Sequence, residues 1–169
     1  RADTAERIKD KVDAFLYVGT GEFHPFRVAL QAGKPVYCWN PLTKTFFLLD
    51  EKDIDAYRKQ QLKALKAFFN ANTVGVIITV KPGQSDNRIN APGEQLKWAP
   101  TEWLERNEKL LGKKKYYVFA CDTLSQEQMD NFPFIECWIN TACSRIADDK
   151  LKRLVNIEDL YAWAKEAQK

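Results

Sequence analysis

The chain has 169 residues, of which 45% are hydrophobic and 29% charged, a composition typical of a soluble globular protein with one large domain or two small ones. Its 26 basic and 23 acidic residues are spread along the sequence and give a net charge of +3, so the charge pattern indicates neither a nucleic-acid nor a membrane partner. Four cysteines without regular spacing are typical of reduced thiols, and we expect a cytoplasmic location. Since the sequence begins at Arg1 and its only methionine is Met129, we also expect a piece of a longer product.

The first third of the chain predicts short helices and strands in alternation. An amphipathic pattern over residues 4–13 predicts a helix, and the apolar run FLYVG at 15–19 predicts a buried strand. The remaining elements of this part are the loop GTGEFHP (19–25), a short helix from Phe26 that ends at Gly33, a strand PVYCW (35–39), a turn NPLT (40–43) and a strand KTFFLLD (44–50).

A long amphipathic helix over 53–69 precedes a second series of elements. These are a strand (73–80), a loop (81–93), a helix (101–111) stopped by Gly112, a strand (115–121), a short helix with a capping box at Ser125, a strand (134–140) and a helix (157–167) capped by Asn156. Apolar strands separated by helices predict an α/β fold with parallel sheets flanked by helices. Because ligands bind at the carboxyl ends of such strands, the segments that follow the strands are the candidate sites.

The loop GTGEFHP contains Gly19 and Gly21 but lacks the third glycine of a dinucleotide-binding fingerprint, so it is a weak phosphate-binding candidate. His24 is the only histidine and could act as an acid, a base or a ligand. The alternative is a loop histidine that packs between Phe23 and Phe26. Both interpretations stay open on these residues alone.

The segment KPGQ follows the most apolar strand. Backbone N–H groups near Gly83, with Lys81 and Gln84, could hold a carboxylate or an amino acid moiety. The alternative is an ordinary turn that starts at Pro82 and needs no ligand.

Cys143 has no CxxC neighbour, which excludes a local zinc or iron-sulfur motif. It could be a nucleophile paired with His24, one ligand among several from separate segments, or an inert thiol. Arg145 would favour its thiolate form. The other cysteines lie inside apolar runs and are expected to pack as small hydrophobic residues: Cys38, Cys121 and Cys137. The lysine run at 113–115 is typical of a solvated junction between a helix and a strand.

Four blocks in order resemble a known family: FLYVGTGEFHPFRVAL, GKPVYCWNPLTK, TVGVIITVKPGQ and WINTACSRIADD. They are similar to the enzyme family that makes 2-(3-amino-3-carboxypropyl)histidine on translation elongation factor 2, the first step of diphthamide synthesis, particularly in its archaeal form. The resemblance runs from about residue 14 to 149. It implies flavodoxin- or Rossmann-like lobes repeated in tandem, here the latter part of a second α/β domain (1–52), a connecting helix (53–72) and a third domain (73–169).

The resemblance also implies a mechanism. In this family three domains each supply one cysteine to a 4Fe-4S cluster, which reduces S-adenosylmethionine and releases an aminocarboxypropyl radical that adds to the substrate histidine. The implied enzyme is a cytosolic transferase and a homodimer, with elongation factor 2 as its protein substrate and no direct contact with nucleic acid or membrane.

Residue by residue, the resemblance implies that Cys143 is a cluster ligand. The KPGQ block, through Lys81, Gly83 and Gln84, would bind the methionine part of the cofactor. Gly19, Gly21 and His24 match the family's FHP block, and we infer that they bind the cofactor only from their position at the end of a strand. Because the other two ligand cysteines have no counterpart in residues 1–169, we expect the chain alone to be inactive.

Two features depart from the family pattern. Ser144 stands where the family usually has proline, and LKRLVNIEDL stands where it usually has a proline-threonine pattern. Ser144 and the missing ligand cysteines favour one alternative, a cluster-free paralogue acting as a non-catalytic partner subunit or binding module. A second alternative is a small α/β enzyme with Cys143 and His24 as a nucleophile-base pair, and the ordered blocks argue against it.

Overall fold

The computed structural model describes residues 2–21, 23–79, 99–121, 125–142 and 151–168. The chain forms two compact units, residues 1–60 and 61–169. The division lies within the long helix α3, Glu51–Asn70, whose predicted range was 53–69. No described helix is long and apolar enough to cross a bilayer.

The first unit contains a three-stranded sheet in the order β1-β2-β3. Its elements before α3 are α1 (Ala2–Ile8), a 3-10 turn (Lys9–Lys11), β1 (Phe15–Val18), α2 (Phe23–Ala32), β2 (Val36–Asn40) and β3 (Thr45–Leu48). Strands β1 and β2 are parallel, whereas β3 runs antiparallel to β2. The four-residue turn between β2 and β3 is the reason, because a parallel connection needs a dozen or more residues.

Helix α2 begins three residues earlier than the sequence predicted. His24 therefore lies in its first turn and not in a loop, and Pro25 is tolerated there because the first turn has no need of its N–H group. The helix ends where predicted: Gly33 adopts φ +61° and donates its N–H to the carbonyl of Ala29 at 2.9 Å. The core of this unit is formed by Ala29, Val36, Cys38 and Leu49.

The second unit contains a four-stranded, all-parallel sheet in the order β5-β4-β6-β7. After α3 its elements are β4 (Thr73–Thr79), α4 (Ala99–Arg106), α5 (Glu108–Leu111), β5 (Lys115–Cys121), α6 (Gln126–Asp130), β6 (Cys137–Asn140), β7 (Leu154–Asn156) and α7 (Ile157–Ala167). Parallel strands flanked by helices confirm the predicted α/β fold.

Both faces of this second sheet are buried. Val74, Val76 and Ile139 belong to the larger cluster, which also includes residues of α3, α4, α5 and α7. Ile77 and Trp138 belong to a smaller cluster on the opposite face, with Met129 of α6 and Ile135. Because both faces are covered, β4 can be almost entirely apolar.

Several details of the second unit differ from the sequence-based expectation, and one is that the strand predicted from residue 134 begins at Cys137. The helix predicted over 101–111 is broken at Asn107, whose Nδ2 donates to the carbonyl of Trp103 at 2.8 Å. Strand β7 was not predicted, because only Val155 of its three residues is buried. Asn156 precedes α7 as expected, but its side chain makes no capping hydrogen bond. The capping box of α6 is confirmed, since Ser125 and Gln128 exchange both of its hydrogen bonds.

Candidate functional site

A small cavity lies at the carboxyl ends of β1 and β2. Its volume is about 40 Å³. The residues that line it are Tyr17, Gly19, Thr20, Gly21, Cys38, Asn40 and Phe47. Pockets for drug-sized ligands are about 300–1,000 Å³, so this cavity can hold water or one small polar group. It lies at the carboxyl ends of two parallel strands, where ligands usually bind in α/β sheets.

Gly19 and Gly21 both line this cavity, and their role in binding a cofactor stays a prediction. The side chain of Tyr17 occupies the space that a Cβ at Gly19 would need, whereas nothing lies within 4 Å of a Cβ at Gly21. A small side chain at position 21 would therefore meet no atom, whereas one at position 19 would collide with Tyr17.

His24 is exposed in the first turn of α2. The centroid of its ring lies 6.4 Å from the centroid of the Tyr17 ring, and the planes of the two rings are inclined by 43°. Since Tyr17 lines the cavity, His24 stands beside the cavity without being one of its lining residues.

The remaining predicted site residues lie outside the described residues. They are Lys81, Gly83, Gln84 and Cys143. Their roles as cofactor-binding residues and as a metal ligand stay predictions. Within the described ranges, no group of three or more histidine, cysteine, aspartate or glutamate side chains is arranged to hold a metal ion.

The last described residues before Cys143 are held by an anchored turn at the carboxyl end of β6. The Thr141 hydroxyl donates to the carbonyl of Ile77 on β4 at 2.7 Å, and the backbone N–H of Thr141 donates to the same oxygen at 3.2 Å. The Oδ1 atom of Asn140 accepts the N–H of Ala142 at 3.0 Å. The backbone is thus fixed up to the residue that precedes Cys143.

A chain of side-chain hydrogen bonds extends from this turn to two helices. Asn140 is fully buried and donates from Nδ2 to Oδ1 of Asn156 at 2.9 Å. Asn156 donates to Oδ2 of Asp159 at 3.4 Å, and Gln61 donates to Oδ1 of Asp159 at 3.1 Å. Asp159 lies in the first turn of α7, where the helix dipole favours a carboxylate. We name Asn140, Asn156, Asp159 and Gln61 the amide network.

The amide network was not predicted from the sequence, although one residue of it carries a recognisable signal. An asparagine that ends an otherwise apolar strand is a signal, because a buried carboxamide needs hydrogen-bond partners. Asn140 meets that description in the run CWIN.

The other cysteines behave as packing residues. Cys38 and Cys137 are buried, and neither these two nor Cys121 forms a disulfide. Burial raises the pKa of the Cys137 thiol to about 12, although the nearby Lys114 and Arg153 oppose this shift. A thiol that stays protonated is a poor metal ligand, because metals bind the thiolate.

Comparison with known proteins identifies the family of this chain. The family described as "Putative diphthamide synthesis protein" matches residues 1–155. The chain belongs to the diphthamide synthesis family. The resemblance in the four sequence blocks is thereby confirmed.

Three relatives of the chain are named as 2-(3-amino-3-carboxypropyl)histidine synthase or as a subunit of it. The chain is 33% identical over 139 residues to the 2-(3-amino-3-carboxypropyl)histidine synthase of Methanocaldococcus jannaschii, covering 81% of this chain and 37% of that protein. It is 27% identical over 157 residues to the synthase of Pyrococcus horikoshii, covering 93% and 39%. A protein of Caenorhabditis elegans named subunit 1 of the synthase is 25% identical, covering 82% and 32%. The chain therefore spans about two fifths or less of the length of these relatives.

Solved structures from this family share the fold. The crystal structure of Dph2 from Pyrococcus horikoshii with a 4Fe-4S cluster matches with a TM-score of 0.64 at 23% identity, covering 89% of this chain and 40% of that one. A second crystal structure of the same protein matches with a TM-score of 0.62 at 22% identity, covering 87% and 39%. At this identity the likeness establishes the α/β fold alone.

Proposed function

We propose that this chain is part of an enzyme that transfers the 3-amino-3-carboxypropyl group of S-adenosylmethionine to a histidine of translation elongation factor 2. The observation that carries the proposal is the 33% identity to the Methanocaldococcus jannaschii synthase over 139 residues. Because the chain spans 37% of that relative, the proposal concerns a larger protein to which this chain contributes the latter part of a second domain and a third domain. That protein would be a cytoplasmic homodimer.

Cys143 is the proposed ligand of a 4Fe-4S cluster. Thiolate sulfur is the usual protein donor to such clusters. Of the four cysteines, Cys143 is the one that lies after a strand, whereas the other three lie inside apolar runs. The anchored turn at Thr141 and Ala142 supports the proposal, because a metal ligand needs a backbone that holds its thiolate in one place. One thiolate cannot hold a cluster, so further cysteines must come from outside this chain.

The cofactor-binding residues proposed here belong to two loops. Gly19 and Gly21 would contact S-adenosylmethionine in the cavity at the ends of β1 and β2, His24 would contact it from beside that cavity, and Lys81, Gly83 and Gln84 would hold its methionine carboxylate. The cavity is supporting evidence for the first group only, and its 40 Å³ suits one polar group of the cofactor rather than the whole molecule. The rest of the binding surface would come from residues beyond those described.

The bound cluster would supply the electron that cleaves a carbon-sulfur bond of S-adenosylmethionine. The residues of this chain have a different task, which is to orient the two cofactors and to exclude water from the reacting atoms. Since the chain has one proposed ligand, the isolated 169 residues are expected to bind no stable cluster and to transfer nothing.

Anaerobic reconstitution tests this assignment in a full-length protein that carries the chain. We expect an iron-sulfur absorbance band that Cys143→Ala abolishes or reduces sharply. The matched control is Cys121→Ala, which removes a thiol from another strand end and should leave the absorbance unchanged. An unchanged cluster in the Cys143 variant would refute the assignment.

A second candidate is a cluster-free paralogue that acts as a non-catalytic subunit. Ser144 in place of the family proline favours it, and the relative in Caenorhabditis elegans is itself named as a subunit. The same reconstitution separates the candidates, because a non-catalytic subunit would acquire no cluster in any variant and would instead co-purify with a catalytic one.

A further inference from the structure

The described chain leaves β6 as far as Ala142 and is described again from Leu151, three residues before β7 begins. Between these two ends lie residues 143–150, which include Cys143, and we name them the Cys143 segment. The end that leaves β6 is held by the anchored turn at Thr141 and Ala142. The end that returns to β7 is held by a different element, helix α6.

Gln126 of α6 is bonded to the backbone of the returning end. Its carboxamide oxygen Oε1 accepts the N–H of Lys152 at 2.9 Å. Its Nε2 donates to Oδ1 of Asp130, one turn further along α6, at 2.7 Å. Because the oxygen and the nitrogen of this carboxamide both have partners, its orientation is fixed. Gln126 therefore connects α6 to a part of the chain that is 26 positions away in sequence.

Arg153 provides a second connection between the returning end and α6. Its Nη2 lies 3.9 Å from Oδ1 of Asp130, although an exposed ion pair of this kind contributes little energy by itself. Arg153 adopts φ +56°, a left-handed conformation that residues with a side chain rarely adopt. Its carbonyl accepts the N–H of Trp138 on β6 at 2.8 Å. The turn at Arg153 is therefore tied to β6 through the backbone and to α6 through the side chain.

Apolar packing joins the same parts of the molecule. Leu151 is half-buried against the smaller core cluster, which contains Met129 of α6, Ile77 of β4 and Trp138 of β6. Ile77 also supplies the carbonyl oxygen that accepts both hydrogen bonds of Thr141. The end that leaves β6 and the end that returns to β7 are thus both attached to Ile77, one through its carbonyl and the other through the cluster around its side chain.

Helix α6 is a fixed support although it is short. A helix of five residues is not stable by itself in water. The capping box between Ser125 and Gln128 holds its first turn, and Met129 is buried in the core. The position of Gln126 is therefore set by tertiary contacts of its own helix, and not by the bond to Lys152.

We propose that α6 positions the Cys143 segment and that Gln126 is the positioning residue. By holding the N–H of Lys152, Gln126 fixes the returning end, so the segment is restrained at both ends and not only at Ala142. The thiolate of Cys143 would then be presented to the cluster in one orientation. This proposal rests on the function proposed above, in which Cys143 is a cluster ligand.

The size of the expected effect follows from the kind of contact. A segment restrained at both ends samples fewer conformations than one restrained at a single end. Groups that directly orient a metal ligand change metal affinity by about 10–100-fold when they are removed. Gln126 acts through the backbone and through one exposed hydrogen bond, so its effect should be smaller. A purely structural role would instead lower the stability of the second unit without a specific effect on the cluster.

The rate at which a chelator removes iron from the reconstituted full-length protein tests the proposal. Gln126→Met keeps the length of the side chain but removes both of its hydrogen bonds. We expect iron release to be about threefold to tenfold faster in this variant than in the parent protein, the range that corresponds to one lost hydrogen bond. A rate equal to that of the parent would contradict the proposal.

Two further variants of α6 separate positioning from a general effect on the helix. Glu127→Met, the same replacement at the neighbouring exposed position, should change iron release less than about twofold. Gln126→Glu keeps an oxygen that can accept the N–H of Lys152, at the start of a helix where a carboxylate is favoured, and should restore release to within about twofold of the parent. If Gln126→Glu releases iron as fast as Gln126→Met, the role of Gln126 is structural and the proposal is wrong.

Cys143→Ala, measured in parallel, distinguishes this proposal from the proposed function. If Cys143→Ala loses the cluster and Gln126→Met releases iron at the parental rate, Cys143 is a ligand and only the positioning role is refuted. If Cys143→Ala keeps its cluster, both proposals are wrong. If Gln126→Met does not fold, Asp130→Ala, which removes the partner of both Gln126 and Arg153, is measured in its place against the same thresholds.

Discussion

The carboxamides of Asn140 and Asn156 are joined across neighbouring strands by a hydrogen bond of 2.9 Å. This bond links the turn that leads to Cys143 to the first turn of α7, because Asn140 also accepts the N–H of Ala142 while Asn156 reaches Asp159. The position of the turn therefore depends on a buried polar network as well as on apolar packing.

Asn140→Leu tests that dependence. Leucine has a similar size but would leave two half-buried groups, the Ala142 N–H and the Asn156 carboxamide, without their partner, which costs about 1–3 kcal/mol in all. We expect urea denaturation to show this decrease in the free energy of unfolding of the chain. In a double-mutant cycle with Asn156→Leu, the two changes together should cost less than their sum by about 0.5–3 kcal/mol. Additive losses would show that the two asparagines act independently.

Lys114 connects two elements that are distant in sequence. Its Nζ donates to the carbonyls of Phe69 and Ala71 at 3.2 and 2.7 Å, at the carboxyl end of α3, and it lies over the ring of Phe68. Lys114→Met should destabilise the chain by about 1–2 kcal/mol, because it removes a cation from a helix carboxyl terminus. The control is Lys113→Met at an exposed position, which should stay within about 0.5 kcal/mol in the same denaturation experiment.

Gly75 and Gly21 are expected to respond differently to alanine. A Cβ at Gly75 would collide with the indole ring of Trp138 on the neighbouring strand. Overpacking of this kind costs about 1–3 kcal/mol, so Gly75→Ala should lower the unfolding midpoint clearly. Gly21→Ala has open space and should leave stability almost unchanged. If Gly75→Ala leaves the unfolding midpoint unchanged, the indole ring of Trp138 can move aside.

Alkaline pH should destabilise the second unit. Burial raises the pKa of Cys137 from 9.0 and that of Tyr116 from 10.0, both to about 12. In the folded state both groups therefore stay neutral, while in the unfolded state they ionise at lower pH. The unfolded state binds fewer protons, so stability is fully present below about pH 9 and is lost as pH rises towards 12.

Thermal unfolding between pH 7 and 11 checks this expectation. Cys137→Ala removes one of the two groups, so its stability should fall less steeply with pH than that of the parent chain. The small cavity left by alanine lowers stability by an amount that does not depend on pH. Parallel curves for the two proteins would exclude Cys137 as a source of the pH dependence.

Apolar runs and helix-ending glycines predicted most of the elements correctly. The helix end at Gly33 and the capping box at Ser125 are local patterns, and the structure contains both. The run FLYVG does form a strand, but the expectation that it is buried is wrong, because Leu16 and Val18 are 64% and 59% exposed. The direction of β3 could also be inferred from the length of the turn before it. Strand β7 was not predictable in this way, because its place is set by pairing with β6.

Local sequence patterns located only part of the candidate site, because some of its contacts join residues that are far apart in sequence. Loops that follow strands can be located from the sequence, and Gly19 and Gly21 line a small cavity, but their role in binding the cofactor stays a prediction. The amide network joins Gln61 to Asp159, which are 98 positions apart, so no local pattern contains it. His24 was placed one element too early, because FHP was taken as part of the loop and not as the first turn of α2.

The central position of β4 has a consequence for folding kinetics. Its neighbours come from far along the chain, since Val74 pairs with Tyr116 on one side and with Cys137 on the other. Each pairing requires the closure of a long loop, and the entropy cost of closing it precedes the stabilising contacts. Pairings of this kind therefore form slowly. The hairpin of β2 and β3, by contrast, closes over four residues and can form within microseconds. During synthesis the first sheet therefore has time to assemble before the second sheet has received its third strand.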